Sequence, residues 1–65
     1  MKIEVEMRGE IKKLEMNENF TGEDLLEKLN LSPDAVIIII DGVPVPYKEK
    51  INSNRVKIIQ VASGG

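Results

Sequence analysis

The sequence predicts an α+β fold in which one β-sheet carries a single helix on one of its faces. Three features lead there. Residues 2–8 alternate strictly, with Ile3, Val5 and Met7 on one side and Lys2, Glu4, Glu6 and Arg8 on the other, the period of a half-buried strand. Residues 36–40 are an unbroken β-branched run, closed by Pro33 before it and Asp41-Gly42 after it; such a run is too short for an independent helix and suits a central strand. Between them, residues 22–30 set Leu25, Leu26 and Leu29 on one helical stripe, an apolar face that a sheet can cover.

The remaining elements follow in order. Gly9 supplies turn freedom, and residues 10–16 form a second strand with Leu14 and Met16 inward, making an N-terminal hairpin. Asn17, Glu18 and Asn19 are loop residues. Thr21 can accept a bond from the free amides that open a helix, with Asp24 standing where Glu or Gln would complete a capping box. Phe20, just before the cap, can pack on Leu25 as a hydrophobic staple, and Pro33 stops any continuation. Asp41-Gly42 is a tight-turn dipeptide leading into Val43-Pro44-Val45-Pro46. Prolines two residues apart remove backbone donors from the same side of a strand, which marks a protected sheet edge. Residues 48–51 read as a polar connection and Asn52-Ser53-Asn54 as a turn; residues 55–61 form a last strand with Val56 and Ile58 inward. The order is strand, strand, helix, strand, short edge strand, strand. Residues 1–61 are expected to form one domain and residues 62–65 a flexible tail.

Composition narrows the function classes. A chain of 65 residues has material for one small core. It contains no cysteine and no histidine, so disulfides and thiolate or imidazole metal sites are excluded, and packing must supply the stability. The formal net charge is −2, with both signs interspersed and no basic stripe with aromatics between, which argues against direct nucleic-acid binding. The longest apolar run, residues 35–40, falls far short of the roughly 20 residues a membrane span needs. A cytoplasmic protein with no membrane attachment is expected. With no phosphate-binding glycine loop and too little volume for a deep pocket, no catalytic residues, metal or cofactor are assigned.

The element order, the length, the Asp41-Gly42 turn after a β-branched strand and the closing Gly64-Gly65 together resemble the ubiquitin-like β-grasp sulfur carriers of thiamine and molybdopterin biosynthesis. They resemble equally the small archaeal ubiquitin-like modifiers. The likeness spans essentially the whole chain and implies one mixed sheet with the helix on one face. The chain departs from the pattern at Ser63 and at the Pro44 and Pro46 pair, neither of which touches the diglycine.

The resemblance also implies a chemistry for Gly65 and Gly64. A main-chain carboxylate is inert until it becomes an acyl adenylate, which in these families an E1-like adenylating enzyme makes, with ATP bound on the enzyme. Sulfide from a donor such as a cysteine desulfurase or rhodanese then gives a C-terminal thiocarboxylate for a downstream sulfur-accepting enzyme, in cofactor biosynthesis or tRNA thiolation. Alternatively, a lysine of another protein takes the acyl group, and the chain becomes a covalent tag on modified proteins. Glycine suits either role because, lacking Cβ, it enters a narrow channel that alanine would obstruct. Four extended residues reach about 13 Å at most. By analogy with the family, Val36, Ile38 and Ile40 are core, which leaves Ile37 and Ile39 on the other face of their strand. On the last strand the outward set is Lys57, Ile59 and Val61. If the two strands are neighbours, Ile37, Ile39, Ile59 and Val61 form an exposed aliphatic patch for a protein partner. A non-covalent binding module would use the same patch and make no use of the carboxylate.

Overall fold

The computed structural model describes residues 1–61, so the expected tail with Gly64 and Gly65 lies outside the described residues. The alternating stretch forms strand β1 (Lys2–Met7), paired antiparallel with β2 (Glu10–Glu15) so that Ile3 faces Leu14 and Glu6 faces Ile11. Helix α1 (Gly22–Lys28) and a 3-10 turn (Pro33–Ala35) lead to β3 (Val36–Ile40), β4 (Val43–Val45) and β5 (Arg55–Gln60). The five strands make one sheet in the order β2-β1-β5-β3-β4. Its centre is the parallel pair β1·β5, and every other pairing is antiparallel. This is the α+β β-grasp arrangement of a mixed sheet and one helix, with β4 on an edge as its prolines require.

Both hairpins turn on two residues with positive φ: Arg8 (54°) and Gly9 (76°) after β1, Asp41 (54°) and Gly42 (78°) after β3. This turn geometry matches the right-handed twist of the strands it joins, and it favours Asn-Gly or Asp-Gly.

The capping box closes although aspartate replaces the usual glutamate. The Asp24 amide donates to Thr21 Oγ1 at 3.1 Å, and the Thr21 amide donates to Asp24 Oδ2 at 3.0 Å. Phe20 and Leu25 flank the cap and are both fully buried. The helix stops two residues earlier than its apolar stripe suggests, because Asn30 takes a left-handed conformation (φ 60°). The Asn30 amide then donates to the Glu27 carbonyl and the Leu31 amide to the Leu26 carbonyl, a Schellman cap that uses carbonyls left free at the helix end. The stop is therefore Asn30, ahead of Pro33.

The segment after β4 is the main correction to the expected layout, since residues 48–51 are no free polar connection. The Tyr47 carbonyl accepts from Glu23 N–H at 2.7 Å, the Glu49 carbonyl from Gly22 N–H at 3.2 Å, and the Phe20 carbonyl from Ile51 N–H at 2.9 Å. Amides that a helix start leaves without partners are thus satisfied by the turn after β4, where Lys50 bridges Thr21, and Ile51 becomes core at 1% exposure. Gly22 makes this approach possible. A Cβ there would lie 2.7 Å from Ile38 Cδ1 and 2.8 Å from both Cα and O of Tyr47.

The core lies between the sheet and α1: Ile3, Val5, Met16, Phe20, Leu25, Leu26, Ile38, Ile51, Val56 and Ile58. Ile38 is buried, but Val36 and Ile40, expected as core, are only half-buried, as are Leu14 and Leu29. A helix of seven residues is about 10 Å long, whereas a strand of five residues runs about 17 Å, so its two ends project past the helix. Met16 belongs to the core although β2 ends at Glu15, and β5 ends at Gln60, one residue short of the expected Val61.

Candidate functional site

The sheet face away from α1 divides into two halves. On β2 and β1, register sets Lys13 opposite Glu4 and Lys2 opposite Glu15, and Arg55 of β5 continues the first row. Arg55 Nη2 meets Glu4 Oε1 at 3.4 Å with both side chains open to water, so the pair adds little to stability. Across β5 and β3 the character changes to aliphatic.

There the structure brings the expected patch residues together. Ile37 lies directly opposite Ile59, and Ile39, two pairs along and so on the same face, lies opposite Lys57. Ile37 and Ile59 are 42% and 40% exposed, large fractions for isoleucine in a strand. Val61 follows β5 at 47% exposure, with its amide donating to the Ala35 carbonyl at 2.8 Å. Ile39 shares this face but is half-buried. Its other cross-strand neighbour is Pro44, which extends the apolar strip onto β4. A two-residue turn at Asp41-Gly42 dictates that opposition, so the register was available in the sequence even though Pro44 reads there only as an edge guard. A shallow apolar groove adjoins the patch at Ile37, where Val36, Pro44, Pro46 and Tyr47 leave the end of β3 uncovered.

Among the described residues no polar or charged side chain is buried. No described helix is long and apolar enough to cross a membrane. The expected activation residues, Gly64 and Gly65, fall outside the described residues; the last described residue, Val61, stands at the border of the aliphatic patch.

Comparison with known proteins adds three findings. The family model described as Small archaeal modifier protein 2 matches residues 1–62. A Small archaeal modifier protein 2 from Haloferax volcanii is 33% identical over 66 residues, covering 100% of both chains, and an uncharacterized protein from Archaeoglobus fulgidus is 36% identical over 42 residues, covering 65% of this chain and 63% of that one. Among solved structures, a computationally designed protein based on the template of human erythrocytic ubiquitin superposes with a TM-score of 0.69 at 17% identity, covering 98% of this chain and 95% of that one. This last likeness speaks to the fold alone.

Proposed function

The chain belongs to the Small archaeal modifier protein 2 family, and from that premise we propose that it is a ubiquitin-like modifier activated at Gly65. The carboxylate of Gly65 attacks the α-phosphate of ATP on an E1-like adenylating enzyme, forming an acyl adenylate and releasing pyrophosphate. A lysine amine of a target protein then displaces AMP, leaving an amide bond between Gly65 and the target. The observation that carries this reading is the full-length relationship to a modifier protein in a chain whose residues 64 and 65 are both glycine. The exit of β5 beside the aliphatic patch supports it too, because a body docked there presents the following residues to the enzyme.

The second reading, a sulfur carrier, shares the first step. Sulfide displaces AMP in place of an amine and leaves a thiocarboxylate, and the short chain with the layout of the biosynthetic carriers favours it. Mass spectrometry of the protein and its conjugates from the native cell separates the two. Lysines of other proteins carrying the chain through Gly65 support the modifier, and one oxygen replaced by sulfur at Gly65 supports the carrier. Unmodified chain under every growth condition, with neither product, would leave the non-covalent binding module as the function.

The patch serves in this proposal as the docking surface. Covering the exposed parts of Ile37, Ile59 and Val61 contributes roughly 1 kcal/mol each. Ile59→Glu is therefore expected to weaken binding to the adenylating enzyme about tenfold or more, while costing under about 1 kcal/mol of folding stability. Titration calorimetry beside urea denaturation reads both, and unchanged affinity removes the patch from the mechanism.

A further inference from the structure

The two hairpin turns of this chain form an internal comparison. Their backbones are nearly superposable in φ, 54° and 76° at Arg8-Gly9 against 54° and 78° at Asp41-Gly42. One carries the dipeptide this turn favours, and the other puts arginine where an ordinary side chain is strained. Among the described residues no side-chain hydrogen bond or ion pair accounts for that choice. Arg8 is exposed, and among the described residues the ion pairs are those of the Met1 ammonium with Glu15 and of Arg55 with Glu4, neither of which involves it.

Position supplies a reason. Strands β1 and β5 run parallel, so both finish at the same end of the sheet. Arg8 follows Met7, whose register partner is Ile58, and Ile59 follows Ile58. Arg8 is the first turn residue after β1, and Glu6, two residues before it, pairs with Lys57 on the outer face. The hairpin turn thus places Arg8 at the end of β1, the strand that flanks β5 on the side of Ile59 away from Ile37. Lys57 adds a second cation, on the outer face.

We propose that Arg8 is a recognition residue, held at the rim of the Ile37–Ile59 patch to pair with a carboxylate on the protein surface that docks there. The inference rests on the docking reading above, and the partner it describes is the adenylating enzyme, with an apolar contact centre and an aspartate or glutamate at its edge. An apolar centre with a charged rim is how interfaces of modest size gain orientation and on-rate. Guanidinium suits the task, since its fork meets a carboxylate through two hydrogen bonds. Local strain kept at an exposed position is a mark of use.

The test is Arg8→Asn, which fits the turn and removes the charge. The variant should melt about 2–5 °C above the wild type, because asparagine tolerates the left-handed conformation. In ATP–pyrophosphate exchange with the adenylating enzyme of the source cell, its KM should rise about fivefold or more at low salt with kcat unchanged. The gap from wild type should narrow in high salt, and Arg8→Lys should recover part of the loss. A KM within twofold of wild type overturns the assignment of Arg8, as does a raised KM that salt does not affect. Ile59→Glu in the same assay tells the two ideas apart: if it alone raises KM, the docking reading stands without Arg8, and if both variants are silent, both ideas fall.

Discussion

Replacing Gly22 with alanine is expected to destabilise the domain by about 2–3 kcal/mol, the usual scale of overpacking a tight contact. Helix propensity alone gives the opposite sign, since alanine exceeds glycine in a helix by up to about 1 kcal/mol. Packing wins because the new methyl would sit 2.8 Å from the Tyr47 backbone, and that backbone is fixed by the bond its carbonyl accepts from Glu23. Relief requires the segment following β4 to move off the helix start, loosening Ile51 as it goes. For 65 residues the whole folding free energy is on the order of 3–10 kcal/mol, so the variant forfeits a large share of it. Urea denaturation should record the loss, with a fall in melting temperature of roughly 8–20 °C. A Gly22→Ala protein as stable as the wild type would show that residues 47–51 do not grip the helix as described.

Deleting Gly65 carries the largest functional effect. The truncated chain should fold with an unchanged melting temperature, because the sheet, the helix and the core cluster all lie within residues 1–61, yet pyrophosphate exchange with the adenylating enzyme should drop to background. Shortening moves the carboxylate back by one residue, about 3.3–3.6 Å of reach. In-line attack on a phosphorus atom tolerates far less, since reacting atoms must approach to about 3–3.5 Å. The new terminus is still glycine, so the loss reports placement and not side-chain bulk. Full exchange activity from the truncated chain contradicts activation at Gly65, whichever product follows.

The fold was legible where local chemistry and tertiary packing agree. Alternation in β1, the β-branched run of β3 and the Thr21 cap each act within a few residues, and each element formed as its sequence requires. The aliphatic patch was legible too, because period-two alternation and the adjacency of β3 and β5 together put Ile37 opposite Ile59. Features created by contact between distant segments were hidden. Ile51 reads as part of a polar linker until Phe20, thirty-one positions earlier, accepts its amide. Gly22 looks like a routine helix start until Tyr47 is laid against it. Asn30 was readable in principle, as an asparagine followed by leucine after an apolar stripe, but Pro33 was the louder stop signal.

The parallel seam between β1 and β5 bears on how the molecule is made. It joins Glu4 to Arg55, so the middle of the sheet cannot assemble until nearly all of the chain has left the ribosome. A polypeptide abandoned before β5 has a hairpin and a helix on one side, a second hairpin on the other, and nothing to weld them. Fragments that end before β5 lack both of its pairings, with β1 and with β3, and are expected to stay open and sensitive to proteases.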